Sequence, residues 1–287
     1  MKNVGIVTDT TACVPPALAA DLAIEVVPDT LIIDGKVLRD GIDITPAEFY
    51  ALLRTVKKLP TTAGTPPQPY LEAFCRVGPG SSGVLCLTEP ARLTAMFNSA
   101  RIASESAHET CGETPIEVME CSTAAAGVGL VALAAAREAA AGKSFNDVKI
   151  MAGEVMSRTY LFAAIDTLQY LARSGRVPQA AAMVNEWLDI KPVFTVNHAE
   201  PHTVALPRTI ESALDKIIKL MQKANGKGRG LHVAVMHADV LERAKVLRDR
   251  IVKKFDCREI YITEFTPVMG VHAGPGVIGA AFYAEKP

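Results

Sequence analysis

Short apolar runs alternate with longer amphipathic stretches along the first half of the chain. "VGIVTDT" (Val4 to Thr10), "GVLCLT" (Gly83 to Thr88) and "IEVMECS" each carry a continuous apolar segment that ends in polar residues. That pattern predicts buried strands whose ends meet loops. Helix-like sequence follows each one: "VPPALAADLA", "LTAMFNSARIASESAHE" and "GVGLVALAAAREAAAG". Strands alternating with helices of this length predict βαβ units around a parallel sheet. "IEVVPDTLIID" reads as extended, with Asp34-Gly35 as a turn. "TPAEFYALLRTV" opens with Thr45, Pro46 and Glu48, a capping box with proline at the first helical position.

The second half changes character near Arg158. "TYLFAAI" reads as a strand, and "TLQYLARSG" as a helix stopped by Gly175. "PVFTVNHAEPHTVAL" predicts two strands joined by a turn at His198 to His202. In "IESALDKIIKLMQKAN", Ile210, Leu214, Ile217, Ile218 and Met221 share one helix face. "HVAVMHA", "VLERAKVLRDRIVKKF" and "EIYITEF" then give strand, helix, strand. The expected fold is α/β with two packed domains. Residues 1–157 form a parallel-sheet α/β/α domain, and residues 158–287 an α+β domain.

Composition narrows the function. The 287 residues are 49% hydrophobic with a formal net charge of -1, so a sizeable core is available and no basic surface for nucleic acid exists. The longest apolar stretch, Ala124 to Ala136, falls short of the roughly 20 residues of a membrane span, so stable membrane insertion is not expected. "MKNVGIVTD" lacks the pattern of a secretory leader. The six cysteines lie far apart with no CxxC, which argues against a zinc site and a disulfide framework and for small buried residues in a reducing cytoplasm.

Several motifs carry two readings each. Thr8, Asp9 and Thr10 in "TDTT" end the first strand, where open α/β sheets place their ligand crevices, but helix capping explains them equally. "LPTTAGTPP" (Leu59 to Pro67) offers hydroxyls and loop amides to a carboxylate, or is an ordinary surface turn. "TEPARLTAMFNSA" enters a helix whose first turn can face an anion, or merely connects strand to helix. No GxxxxGK[ST] occurs, which excludes a P-loop. In "NHAEPH", Pro201 breaks the helical spacing that a metal pair needs, so no metal is expected. Arg176 lies beyond the Gly175 helix stop, free to face a ligand or partner. "HAGPG" (His272 to Gly276) is a tight turn or a preorganised anion pocket.

Taken in order, these segments resemble the DegV family of fatty-acid-binding proteins over essentially the whole chain. Its "TDS-T" resembles Thr8 to Thr11, and its "V-V-P" resembles Val26-Val27-Pro28. "DG-DI--EEFY" resembles Asp40 to Tyr50, and "L-x-x-GR" resembles Leu171 to Arg176. "KP" matches Lys191-Pro192, and "H-GPG" matches His272, Gly274, Pro275 and Gly276. The resemblance implies a long-chain fatty acid between two domains, and a separate ATP-binding kinase subunit that phosphorylates its carboxylate. It assigns the head group to Thr62, Thr94 and His272, with Ala95, Gly274 and Gly276 closing around it and Arg176 near the head group or the phosphoryl path. Thr8, Asp9 and Thr10 would support them. No cofactor is implied beyond the bound acid. The chain departs from the pattern at Ala63, at Pro90-Ala91 and at "LTAMF" (Leu93 to Phe97), which stands where the family has "LSGTY".

Three functions stay open at this level. The first is an acid-binding carrier without activity of its own. The second is a stand-alone hydrolase or transferase on a small acyl or phosphorylated substrate, with His272 as base and Thr62 or Thr94 as nucleophile. The third is a lipid-sensing regulatory module.

Overall fold

The computed structural model describes residues 3–176, 190–225 and 230–286. Its first sheet places β1 (Val4–Asp9) between β2 (Ile24–Val27) and β6 (Gly83–Thr88), and β7 (Ile116–Glu120) pairs with β6. All its pairings are parallel. A small antiparallel sheet lies beside it. There β3 (Thr30–Ile33) turns through Asp34-Gly35 into β4 (Lys36–Arg39). Both turn residues have positive φ, 49° and 79°, as a primed hairpin turn requires. The two-residue β5 (Thr61–Thr62) pairs with β3, with Thr62 opposite Leu31.

The second sheet is mixed. It comprises β8 (Tyr160–Ala164), β9 (Val193–Asn197), β10 (Glu200–Ala205), β11 (Leu231–His237), β12 (Cys257–Glu264) and β13 (Ile278–Ala284). The strand order is β10-β9-β8-β13-β11-β12, and only β11 and β12 run parallel. Every strand of the first sheet precedes Ser157 and every strand of this one follows it. Helices Ile210–Asn225 and Leu241–Lys254 cover its outer face, burying Leu214, Ile217, Met221, Leu247 and Ile251 against Phe162, Val233 and Phe282.

Helix Ala126–Ala140 joins the two sheets into one core. Its residues pack with Ile6 and Leu85 of the first sheet and with Ala234, Met236 and Ala281 of the second. Its alanines permit this approach from both sides. Gly129 permits more, because a Cβ there would stand 2.5 Å from the Ala12 carbonyl oxygen. On the opposite face of the first sheet, helices Pro67–Val77 and Met96–Cys111 bury Tyr70, Phe74, Met96 and Ala100 against Val7, Val84 and Cys86.

The structure adds to the sequence expectations and corrects some. Helix Pro67–Val77 has no counterpart among the predicted elements, because Pro66, Pro67 and Pro69 read as a loop. The helical prolines sit in its first turn, where no N–H partner is lost. Helix Phe145–Ser157 is also additional, capped by Ser144 accepting from the Asp147 N–H at 3.2 Å. The β9–β10 turn is confined to His198-Ala199, at φ 49° and 65°.

The cysteine expectation fails at one pair. Cys75 and Cys111 form a disulfide with Cα atoms 4.7 Å apart. The two helices that carry them pack side by side, a proximity hidden by a sequence separation of 36. Cys13, Cys86 and Cys121 are buried free thiols.

Candidate functional site

The segment beyond the carboxyl end of β6 faces the second sheet across a cavity of about 150 Å³. Leu161, Ala163, Phe194, Met236 and Val277 give it an apolar wall, and Ala124-Ala125 close it from the first half. Three ionisable side chains reach that wall: Glu89, Arg176 and His272.

His272 lies near the end of the short helix Pro267–Ala273. "HAGPG" is therefore a helix terminus followed by a turn. The helix is held from several directions. Asp40 Oδ2 accepts from the Val268 N–H at 3.2 Å, and Tyr50 donates to the Phe265 carbonyl at 3.2 Å. A Cβ on Gly270 would stand 2.6 Å from the Phe49 ring, so the helix rests directly on helix Pro46–Leu53. This seating points His272 Nε2 at Thr62 Oγ1, 3.2 Å away. Pairing of β5 with β3 fixes Thr62 from the other side. Nδ1 of His272 is buried and has no hydrogen-bond partner among the described residues. Burial, then the Arg176 charge, pushes the imidazole down to about 4, so it is neutral at pH 7.

Arg176 follows Gly175, whose φ of 70° ends helix Gln169–Ser174. Its guanidinium donates to the Ser174 carbonyl at 2.7 Å and to the Leu93 carbonyl at 3.4 Å. The second contact brings the arginine beside the turn containing Thr94. The Thr94 hydroxyl itself accepts from the Met96 N–H at 3.4 Å. Ala95 is exposed, and its methyl lies 3.2 Å from the position a Cβ on Gly64 would take. Thr62, Thr94, Ala95, His272 and Arg176 thus come from four segments to one rim. Of these, His272 and Arg176 reach the cavity itself.

Gly274 and Gly276 do something other than expected. At φ 73° and 90° they close on protein: a Cβ would stand 2.2 Å from the Tyr170 ring and 2.6 Å from Asp166, respectively. They seat the turn on the segment that leads to Arg176. Thr8, Asp9 and Thr10 also act at a distance from the cavity wall. Thr8 donates to the Leu87 carbonyl at 2.8 Å. Asp9 accepts from the Thr11 N–H at 3.0 Å and from Tyr70 at 2.9 Å. Thr10 accepts from the Asp29 N–H at 3.0 Å.

Four buried carboxyls lie around this part of the fold, and two of them, Asp29 and Glu89, are not singled out by the motifs. Asp29 accepts from the Thr30 N–H and from Thr65, both at 2.7 Å, and so ties the Thr62 loop to the end of β2. Burial raises Asp29, and it raises Asp9 to about 6, Asp40 to about 7 and Glu89 to about 8. Glu89 had a visible signal: an acid directly after an all-apolar strand.

The fold and site define a two-sheet α/β protein with an apolar chamber closed between the sheets and a polar rim at one end. The family model described as "Uncharacterised protein, DegV family" matches residues 3–285, and the chain belongs to the DegV family. A DegV domain-containing protein of Clostridium acetobutylicum is 30% identical over 288 residues, covering 99% of this chain and 98% of that protein. One of Mycobacterium tuberculosis (strain ATCC 25618 / H37Rv) is 31% identical over 283 residues, covering 96% of each. Among solved structures, a fatty-acid-binding DegV family protein from Thermus thermophilus superposes with a TM-score of 0.91 at 24% identity, over 99% of this chain and 100% of that one. DegV of Bacillus subtilis, a fatty acid binding protein, gives 0.88 at 23% identity, over 99% and 100%.

Proposed function

We propose that this protein binds one long-chain fatty acid between residues 1–157 and 158–287, and presents its carboxylate to a separate ATP-dependent kinase subunit for acyl phosphate formation. The observation that carries the reading is the pairing of Thr62 with a neutral, partly buried His272 at the rim of an apolar chamber. Each methylene moved from water into such a chamber contributes about 0.8 kcal/mol. A carboxylate leaving water needs donors, and Thr62, Thr94, His272 and the Arg176 guanidinium supply them. Met236 and Met269 in the wall are unbranched and adaptable side chains.

The same geometry weakens the stand-alone enzyme reading. A base acting on Thr62 needs a group that orients its far nitrogen, and Nδ1 has none among the described residues. An imidazole pushed down to about 4 is also a poor proton acceptor.

The test is mass spectrometry of a denatured extract of the purified protein, followed by mixing with an ATP-binding kinase subunit and ATP. A co-purified acid of fatty-acyl mass and ATP-dependent acyl phosphate are expected. A protein that carries no acid and takes up none when offered would overturn the reading.

A further inference from the structure

Glu89 follows the last residue of β6 and is only 4% exposed, yet it forms part of the chamber wall. Its Oε1 accepts from the Ala125 N–H at 2.6 Å, ahead of helix Ala126–Ala140. One oxygen is anchored there, on a side chain that lines the chamber. Other charged groups act on it from three segments: Asp9 at the end of β1, Asp29 beyond β2 and Arg176 beyond helix Gln169–Ser174. The thiols of Cys13 and Cys121 lie close enough to feel its charge. The group around Glu89 thus holds three buried carboxyls, Glu89 included, and among the described residues one half-buried guanidinium, which acts on Asp29 and Glu89. A ligand carboxylate arriving beside Arg176 and His272 adds a fourth.

We propose that Glu89 is a further ligand-binding residue and that it meets the bound acid as a carboxylic acid, donating O–H to the ligand carboxylate. The inference rests on the acyl-binding reading. Neighbouring carboxyl groups in a site poor in water cannot all ionise, and they share a proton instead. The proton resides on Glu89, which burial, Asp9 and Asp29 raise to about 8. The balance is simple: the ligand enters as an anion, Glu89 keeps its proton, and one O–H···O⁻ bond forms. Above pH 8 the same complex requires a proton from solvent.

The experiment is a fluorescence titration with cis-parinaric acid from pH 7 to pH 9.5, on the full protein and on Glu89→Gln. Glutamine keeps an oxygen for the Ala125 N–H and an N–H for the ligand. In the parent protein Kd should rise about thirtyfold across this range, the linkage expected for one required proton released near pH 8. In Glu89→Gln the Kd should change less than about threefold between pH 7 and pH 9.5. Subtracting the two profiles removes Asp40, which titrates in the same range and holds the His272 helix without lining the chamber. A flat parent profile, or the same slope in both proteins, would overturn the proposal while leaving acyl binding intact. Failure of both proteins to bind the probe at any pH would overturn both readings together. Should the variant fail to fold, the parent profile alone decides.

Discussion

Thr62 Oγ1 and His272 Nε2 lie 3.2 Å apart across 210 residues of sequence. A two-residue strand holds the first and a short helix resting on Phe49 and Tyr50 holds the second.

Thr62→Val and His272→Ala should each weaken acid binding by about tenfold to a hundredfold, the range for losing one hydrogen bond to a charged group. The double variant should lose less than the sum, since each side chain orients the other. Titration of the singles and the double with one acyl probe checks this. Full affinity in both singles would remove the clamp from consideration.

Stability should fall as pH rises from 5 to 8.5. Asp9, Asp40 and Glu89 have folded-state values raised to about 6, 7 and 8, above the unfolded carboxyl range near 4. Their contribution is complete below that range and is lost as pH passes each folded value. His272 opposes them: its value is pushed down to about 4, so its contribution is present above about 6.5 and lost below. Three carboxyls outweigh one imidazole. The urea midpoint at pH 5.5 should exceed that at pH 8.5 by at least ~2 kcal/mol in unfolding free energy. A higher midpoint at pH 8.5 would contradict the assignment of protons to these groups.

Two glycine substitutions should act in opposite directions. Gly274→Ala puts a Cβ 2.2 Å from the Tyr170 ring at φ 73°, and should cost about 2–4 kcal/mol. It should also disturb Arg176 through the Tyr170 segment and so reduce acid binding. Gly153→Ala, inside helix Phe145–Ser157 with nothing within 4 Å of the new methyl, should stabilise by about 0.5–1 kcal/mol. Thermal melts of both distinguish close packing at Gly274 from mere turn formation.

Thiol titration of the unfolded, unreduced chain should find four reactive cysteines, and six after reduction. Reduction of Cys75–Cys111 should lower stability by about 3–4 kcal/mol on the loop-entropy account. A count of six without reductant would show the pair open.

The architecture was legible where burial is local. Val4 to Asp9 and Gly83 to Thr88 are strands because both faces are covered, and continuous apolar runs report that. His272 and Thr62 stood out through their motifs, and Gly175 through its position after an amphipathic stretch. Relationships across the chain were not legible. Tyr170 against Gly274, Cys75 against Cys111 and Glu89 against Ala125 depend on which helices neighbour which, and local periodicity carries no trace of that. Prolines hid helix Pro67–Val77 because the same residue that breaks a helix interior is welcome at its start.

Helix Ala126–Ala140 belongs to the cores of both sheets at once. Swinging the halves apart would strip apolar surface from the helix, so a clamshell opening is energetically closed to this molecule. Entry and exit of a ligand must proceed by side-chain and loop breathing at the rim. Exchange of the proposed acyl ligand should accordingly be slow, with a residence time governed by rearrangement at the rim.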